Sequence, residues 1–263
     1  MATDPSASGR PWPFIRTMIA TDQVDSTSDR AAELLLRGTA GPLPMCVWSR
    51  TQTRGRGRGH HTWWSDRGGL TFTLAFDPEE HGLPWEVGPR LALMTAVAVV
   101  EAIEALGFGH PALGIRWPND VQVGRLKLGG ILPEQVVTDQ GRRVLIGVGL
   151  NVATDPADMP AVVRGMATSL AAIQGRPLED ETLPLLLAAI LDRFGSVLGR
   201  LVDRSPELVR RWNDLDLLRD EWVSVDLGPR VIAGWGRGIE PDGSLRLDDG
   251  RERHRVVGGL VLR

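Results

Sequence analysis

Lys127 is the only lysine among the 30 lysine and arginine residues of this 263-residue chain. It lies in a short apolar run from Arg125 to Leu132, next to the pair Gly129-Gly130. Lysine is a compact point charge on a flexible stem, whereas arginine is a planar fork, so a single retained lysine indicates chemistry that arginine cannot do. A cation there can reach an anion while backbone amides approach it closely. The alternative is that Lys127 is a remnant of drift on a solvated turn.

The loop from Arg54 to Trp64 alternates arginine and glycine before two histidines and two tryptophans. Such glycines let backbone amides point at one centre, and the arginines add forked donors for phosphate or carboxylate. With Trp63 or Trp64 as an apolar lid, the loop could order around an anionic ligand. It lacks the Gly-Lys-Ser/Thr end of a Walker phosphate loop. The pair His60-His61 is a weak metal signal, and an RNA-binding Arg/Gly segment or a solvated charge run are alternatives.

The composition is that of an ordinary globular protein, with 42% hydrophobic and 24% charged residues. A formal net charge of −3 disfavours nucleic-acid binding through bulk charge. The single cysteine, Cys46, allows no internal disulfide and fits a buried strand. The polar N-terminus, Met1 to Pro13, is unlike a signal peptide, and no apolar run reaches the length of about 18 residues that a membrane span requires. We therefore expect a cytoplasmic protein with no nucleic-acid or membrane partner.

Hydrophobic periodicity and turn residues predict the elements that position these groups. Ser26 is expected to cap a helix within Thr21–Arg37, and Pro89 to open a buried helix that ends at Leu106. The other expected helices are Glu179–Leu201 and Pro206–Leu215, with a stretch over Ala161–Ile173 that is irregular or partly helical. The expected strands are Met45–Ser49, a half-buried Leu70–Phe76, Leu113–Trp117, Val121–Val123, and a hairpin of Lys127–Val137 with Arg143–Val152. After Asp220, closely spaced turns at Gly228-Pro229, Asp242-Gly243 and Asp249-Gly250 predict a small β-barrel.

Taken together and in order, these segments resemble the biotin protein ligases, or biotin–acetyl-CoA-carboxylase ligases. The resemblance is carried by five segments: Asp25-Ser26-Thr27-Ser28, Gln52-Thr53-Arg54-Gly55-Arg56-Gly57-Arg58 with Trp63, Arg116-Trp117-Pro118-Asn119-Asp120, Lys127-Leu128-Gly129-Gly130-Ile131-Leu132, and Gly147-Val148-Gly149-Leu150-Asn151-Val152. Ser28 and His60-His61 depart from the family's pattern.

The resemblance implies an α+β fold in which a mixed β-sheet is flanked by helices, as in class II aminoacyl-tRNA synthetases and biotin–lipoate ligases. It implies a catalytic domain over residues 1–216 and an SH3-like β-barrel domain over 217–263. Because the catalytic pattern begins within the first 30 residues, we expect a monofunctional ligase without an N-terminal DNA-binding domain.

The implied reaction has two steps, with ATP and biotin as substrates and Mg²⁺ as the metal. Biotin is first activated to biotinyl-5′-AMP, and a lysine of a biotin carboxyl carrier protein, from acetyl-CoA carboxylase or another biotin-dependent carboxylase, then receives the biotin. Mg²⁺ is expected on the substrate phosphates, with no protein ligand assigned. A homodimer is compatible with the resemblance.

The resemblance also assigns roles to individual residues. Lys127 and Arg58 are the expected catalytic residues. The expected biotin-binding residues are Ser26, Thr27, Ser28, Gln52, Arg56, Gly57, Arg58, Lys127, Gly129 and Gly130. The expected ATP- and adenylate-binding residues are Arg56, Arg58, Trp63, Asn119, Asp120, Lys127 and Asn151. For three of them a structural role is the alternative: Ser26 as a helix cap, Trp63 as core and Asp120 as a turn residue.

Two other functions compete with this prediction. A lipoate ligase or octanoyltransferase would share the fold, and the transferase would need a cysteine nucleophile near Lys127, whereas Cys46 lies in a strand pattern without an evident base. The alternative of another class is a non-catalytic RNA-binding module that uses the Arg/Gly loop.

Overall fold

The computed structural model describes residues 14–59, 61–84 and 90–262. The expected N-terminal tail 1–13, His60 and Pro89 lie outside the described residues. A seven-stranded sheet forms the centre of the described chain. Its strands are β1 (Thr17–Val24), β2 (Met45–Gln52), β3 (Gly69–Phe76), β4 (Leu113–Arg116), β5 (Asp120–Val123), β6 (Leu126–Thr138) and β7 (Gly141–Asn151). Their order is β1-β2-β3-β7-β6-β5-β4, in which β1 and β2 are parallel and the other pairs antiparallel, so the expected mixed sheet is confirmed.

Helices cover both faces of this sheet. They are α1 (Thr27–Leu36), α2 (Arg90–Ala105), α3 (Leu170–Gln174), α4 (Thr182–Val202) and α5 (Pro206–Asp214). The α2 sequence is apolar almost all round and most of its side chains are buried, as expected for a helix enclosed by other elements. It packs against α4 and the sheet, whereas α1 lies on the opposite face against β2 and β3. The described helices include none with both the length and the hydropathy needed to cross a membrane.

The start of α1 follows the sequence prediction, but the segment before it does not. Ser26 is the N-cap, and its side-chain oxygen accepts a hydrogen bond from the amide of Asp29 at 3.4 Å. The helix was expected within Thr21–Arg37, yet Thr17–Val24 forms β1. The β1 strand is set by its parallel pairing with β2, which is a long-range contact that local periodicity does not report.

The predicted half-burial of Leu70–Phe76 is wrong, because every residue of β3 is buried. The strand lies between β2 and β7, and both α1 and α4 contact it. Its alternate side chains therefore enter two different cores. Phe72 belongs to the large core of the molecule, whereas Ala75 joins the smaller core under α1.

The C-terminal region forms a second, five-stranded antiparallel sheet. Its strands are β8 (Trp222–Asp226), β9 (Val231–Ile239), β10 (Leu245–Asp248), β11 (Arg253–Val256) and β12 (Leu260–Val261). Their order is β11-β10-β9-β8-β12, and within the described chain the edge strands β11 and β12 do not pair. The expected small C-terminal β-structure is thus present as an antiparallel sheet, but this sheet does not close into the expected SH3-like β-barrel. The expected division into residues 1–216 and 217–263 stays a prediction.

Buried side chains join the small sheet to the rest of the molecule. Val225 and Leu247 lie in the same core as residues of α2 and α5. The indole nitrogen of Trp117 donates a hydrogen bond of 2.9 Å to the carbonyl of Gly243, in the loop before β10. These contacts hold the small sheet beside the β4 and β5 edge of the large sheet, where the Trp-Pro-Asn-Asp segment lies.

Candidate active site

A cavity of about 350 Å³ lies where α1, the Arg/Gly loop, five strands of the large sheet and the end of the small sheet meet. Most of the residues that the sequence assigns to ligand binding line it. They are Ser26, Thr27, Ser28, Gln52, Arg56, Gly57, Arg58, Trp63, Asn119, Asp120, Lys127 and Gly130. The structure therefore brings together side chains that are up to about 100 positions apart in the sequence.

One wall of the cavity is a row of uncharged hydrogen-bonding groups. The side-chain oxygen of Gln52 accepts hydrogen bonds from the amide of Thr27 at 2.8 Å and from its hydroxyl at 3.1 Å. The hydroxyl of Thr73 on β3 donates to that of Thr27 at 2.9 Å and lies 3.0 Å from that of Ser28. These groups are fixed by one another, so the wall presents a preorganised neutral polar surface to a ligand.

The Arg/Gly loop is an ordered hairpin. The amide of Trp63 donates to the carbonyl of Gly55 at 2.9 Å, and the amide of Gly57 donates to the carbonyl of His61 at 2.8 Å. A side chain at Gly55 would collide with the backbone carbonyl of Trp63, at 2.4 Å from an added Cβ. The alternation of glycine in this loop thus serves close backbone pairing, and the described loop differs from an extended, disordered Arg/Gly segment.

Trp63 lies flat against strand β7. A Cβ added to Gly149 would stand 2.5 Å from the indole ring of Trp63, so the ring occupies the space left by the missing side chain. A Cβ at Gly147 would stand 2.9 Å from the hydroxyl oxygen of Ser28. The two glycines of the Gly-Val-Gly segment therefore leave room for an aromatic wall and a polar wall on one face of β7.

The two loop arginines differ in their partners. Arg56 makes two hydrogen bonds of 2.7 Å to the carboxylate of Glu134 and lies 3.1 Å from that of Asp29, so its charge is compensated. Arg58 donates to the carbonyl of Gly259 at 2.6 Å and has no carboxylate partner among the described residues. An exposed guanidinium bound only to a neutral carbonyl can exchange that bond for a phosphate, which makes Arg58 the better anion ligand.

The strand β12 forms part of the cavity wall. Leu260 and Val261 line it. Arg116, at the end of β4, donates from Nη2 to the carbonyls of Val261 at 3.3 Å and Leu262 at 3.1 Å. Together with the bond between Arg58 and Gly259, these contacts tie the last strand of the small sheet to the Arg/Gly loop and to the end of β4.

Lys127 forms an ion pair inside the cavity. Its Nζ lies 2.7 Å from Oδ1 of Asp120 and 5.9 Å from the centre of the Trp63 ring. The Asp120 backbone is fixed by its neighbour, because Asn119 accepts from the amide of Ile131 at 2.9 Å and its side-chain amide donates to the carbonyl of Ile131 at 2.8 Å. The lysine side chain is one-third exposed, so its ammonium group can turn from Asp120 towards a ligand.

Two predicted site residues do not line the cavity. Gly129 faces away from it, and a Cβ there would collide with the side chain of Leu150 on β7. Asn151 is buried, and its side-chain amide donates to the carbonyl of Thr168 at 3.0 Å. Because Thr168 in turn donates from its amide to the carbonyl of Lys127 at 2.9 Å, Asn151 supports the backbone around the lysine. Their predicted roles in direct ligand binding stay predictions.

Some groups that line or support the cavity were not predicted from the sequence. Thr73, which supports the hydroxyl row from behind, lies in a strand pattern. Met166 lies in a segment expected to be irregular or partly helical, and it reaches the cavity because the amide of Lys127 donates to its carbonyl at 2.9 Å. Glu134 was not connected with Arg56, 78 positions away. An acidic residue on the apolar hairpin strand β6 was the only available sign that a basic partner faces it.

Cys46 is the candidate nucleophile of an alternative chemistry, and its surroundings in the structure test that alternative. Cys46 lies on β2 and is completely buried, and burial raises the pKa of its thiol far above its usual value. A thiol held neutral and enclosed in the core is unsuited to act as a nucleophile. In the described part of the chain, no three His, Cys, Asp or Glu residues come together as a metal-binding cluster.

Comparisons with known proteins find relatives of this chain. Residues 21–151 match the model of the biotin/lipoate A/B protein ligase family. The bifunctional ligase/repressor BirA of Bacillus subtilis (strain 168) is 37% identical over 165 residues, which cover 62% of this chain and 48% of that protein. This chain therefore spans about half the length of that relative.

A longer alignment and a solved structure extend the comparison. The bifunctional ligase/repressor BirA of Escherichia coli (strain K12) is 31% identical over 242 residues, which cover 91% of this chain and 72% of that protein. The biotin protein ligase from Aquifex aeolicus in complex with biotin and ATP has a TM-score of 0.79 and 25% identity, covering 94% of this chain and 98% of that one. The alignment with the Escherichia coli protein, the family match and the shared fold establish that this chain belongs to the biotin/lipoate A/B protein ligase family.

Proposed function

We propose that the chain is an ATP-dependent biotin protein ligase of the cytoplasm, which forms biotinyl-5′-AMP and transfers biotin to a lysine of a biotin carboxyl carrier protein. The observation that carries the proposal is the composition of one cavity. It combines a neutral polar wall, an aromatic wall, the chain's single lysine and an arginine, Arg58, for which the described residues provide no carboxylate partner. The name of the Aquifex aeolicus protein, which was solved with biotin and ATP, supports this choice among the activities of the family.

The neutral wall suits the uncharged ring of biotin. Thr27, Ser28 and Gln52 offer hydroxyl and amide groups that can donate to, and accept from, a cyclic urea. Trp63 provides a flat apolar surface for the rest of the ring and the start of the acyl chain. The carboxylate at the other end of the acid would then lie near Lys127, whose Nζ is 5.9 Å from the centre of the Trp63 ring.

The first step joins two anions, and cations must offset their repulsion. An oxygen of the biotin carboxylate attacks the α-phosphorus of ATP, the bond from that phosphorus to the bridging oxygen breaks, and pyrophosphate leaves with the electron pair. Lys127 would release Asp120 and place its ammonium group between the carboxylate and the α-phosphate. Arg58 would exchange the Gly259 carbonyl for a phosphate oxygen. Preorganised charges of this kind account for most of the catalysis in phosphoryl transfer.

The second step consumes the mixed anhydride. The neutral amine of an acceptor lysine attacks the acyl carbon of biotinyl-5′-AMP, the bond to the phosphate oxygen breaks, and AMP leaves as an amide forms. The amine loses one proton in this step, and this proton passes to water. Arg58 and Lys127 would stabilise the departing phosphate, while the strand containing Leu260 and Val261 limits the access of water.

The cavity is compatible with Mg²⁺ carried by the nucleotide. Mg²⁺ is usually held by one or two carboxylates, phosphate oxygens and water, and Asp120 is the one carboxylate among the described cavity residues. When bound, the ion would neutralise phosphate charge. Asp120 would then have two functions, as the resting partner of Lys127 and as a ligand once the lysine has moved.

Pyrophosphate release is the direct test. The protein is incubated with ATP, Mg²⁺ and either biotin, lipoate or octanoate, in the presence of hydroxylamine as an acyl acceptor, and with or without single-stranded RNA. We expect release with biotin alone and no effect of RNA. Release with lipoate or octanoate but not with biotin would refute the proposal, and RNA binding without any release would favour the non-catalytic alternative. Transfer of biotin to a purified carboxyl carrier domain, detected by intact mass, tests the second step.

A further inference from the structure

The outer face of the C-terminal sheet exposes two tryptophans in a fixed arrangement. Trp222 on β8 and Trp235 on β9 are opposite each other in the strand register. Their rings meet edge to face, with centroids 5.6 Å apart and an interplanar angle of 82°. They are 54% and 44% exposed. Tryptophan buries more apolar surface than any other side chain, so an exposed, ordered pair is unusual on a face without a partner.

This surface extends to the mouth of the cavity through two exposed apolar residues, with the partly exposed Asp226 between them. Val231 and Leu260 stand on either side of Asp226 in the register of the sheet, and both are more than half exposed. Residues opposite each other, and alternate residues along a strand, share one face, so Trp222 and Asp226 lie on the same side. Trp222 and Asp226 are four residues apart along β8, which corresponds to a distance of about 14 Å. Since Leu260 also lines the cavity, the tryptophan face (Trp222, Val231, Trp235 and Leu260) begins at the mouth of the cavity.

The position of this face relative to the cavity is fixed. Arg58 holds the carbonyl of Gly259, immediately before β12, and Arg116 holds that of Leu262, immediately after it. Both arginines line the cavity. A body that rests on the tryptophan face therefore has a defined orientation towards Lys127.

We propose that the tryptophan face is the docking surface for the folded acceptor domain, an inference that rests on the proposed ligase function. An acceptor lysine inside the cavity places the rest of its domain over the residues at the mouth, and Leu260 leads from the mouth to the tryptophan pair. Tryptophan and arginine dominate the energetic centres of protein interfaces. Arg237 lies on β9 two residues after Trp235, and it is exposed and paired with Asp220 at 2.5 Å, so the face has both residue types.

The test compares docking with chemistry. The double variant Trp222→Ser/Trp235→Ser leaves the cavity residues unchanged. With a carboxyl carrier domain as acceptor, we expect KM for that domain to rise about tenfold or more, with kcat at saturating acceptor retained, because hot-spot tryptophans contribute at least that factor. With hydroxylamine as acceptor, pyrophosphate release should equal that of the wild type. Leu185→Ser, which changes an exposed leucine on α4, is the matched control and should alter neither measurement.

Each other outcome overturns a defined part of the reasoning. An unchanged KM for the carrier domain, with normal release, would overturn the docking proposal alone. A dimeric wild type that becomes monomeric in the double variant, seen by sedimentation, would assign the face to a second copy of the chain. Loss of RNA binding in the variant would assign it to nucleic acid. Absence of pyrophosphate release from the wild type with biotin would refute the ligase function itself. If the double variant melts early, Val231→Ser is used in its place, with the same expectation of a higher KM.

Discussion

Replacing Gly149 with alanine tests whether the wall made by Trp63 determines biotin binding. An alanine Cβ would stand 2.5 Å from one ring carbon of Trp63 and 2.8 Å from a second carbon and the indole nitrogen. Ordinary contacts of this type lie at about 3.5 Å or more, so the ring must move by roughly 1 Å. The backbone of β7 cannot yield instead, because it is paired on both sides, with β3 and with β6.

The displacement of Trp63 is transmitted to the Arg/Gly loop, since its amide is bonded to the carbonyl of Gly55. Overpacking of a filled site costs about 1–3 kcal/mol. If that cost appears in the bound state, biotin affinity falls by a factor of about 5 to 150. Isothermal calorimetry with biotin measures this factor directly, and thermal unfolding separates it from a general loss of stability.

A matched control and a suppressor complete the experiment. Gly199→Ala adds a methyl group on α4 where nothing lies within 4 Å, and it should leave biotin affinity unchanged. Trp63→Leu should bind biotin more weakly than wild type, yet Gly149→Ala should then cost little more, because the clash has been removed. Wild-type affinity in Gly149→Ala, with an unchanged melting temperature, would refute the assignment of Trp63 as a ligand wall.

Three further outcomes follow from the charged groups. Lys127→Ala should lower the rate of adenylate formation by about 10²–10³-fold. Lys127→Arg should not restore that rate, because a planar fork cannot fill the place of a point charge. Single-turnover formation of biotinyl-5′-AMP measures both variants, and full activity of the arginine variant would contradict the role of Lys127. Arg58→Gly should release biotinyl-5′-AMP faster than wild type while transfer at saturating ligand changes less, which a filter-retention time course can follow; equal release rates would exclude Arg58 as the group that retains the intermediate. Burial raises the pKa of Asp216 to about 6, so folding favours its protonated form. The free energy of unfolding should therefore fall as the pH rises from about 4 to 7, and Asp216 should contribute about 3 kcal/mol to this fall. Urea titrations over that range should find this slope reduced in Asp216→Asn, and an identical slope in both proteins would show that Asp216 is not its source.

Local sequence signals predicted the elements that depend on near neighbours. The cap of α1 is a bond over three residues, from the amide of Asp29 to Ser26, and the hairpin of β6 and β7 closes through its own turn. Long-range contacts decided the rest. The strand β1, the complete burial of β3 and the open form of the small sheet all depend on partners that are distant in the sequence.

The candidate site divides in the same way. Its residue types were evident in the sequence because glycine, arginine and a lone lysine are conspicuous, and most of them line one cavity. Their partners were not evident. Arg56 pairs with Glu134, and Lys127 with Asp120, only in the folded sheet. The first pair compensates the charge of Arg56, whereas the described residues offer Arg58 no carboxylate. The sequence also gave no indication that Leu260 would reach the cavity.

The bond between Arg58 and Gly259 has a consequence for the order in which the protein is made. The two residues are 201 positions apart. At about 5–20 residues per second, the ribosome adds Gly259 roughly 10–40 s after Arg58. During that interval the large sheet can form while the Arg/Gly loop still lacks its cover. The part of the cavity wall that contains Leu260 and Val261 is therefore the last to be synthesised. A nascent chain that already contains Lys127 but lacks this part would leave a bound ligand exposed to water.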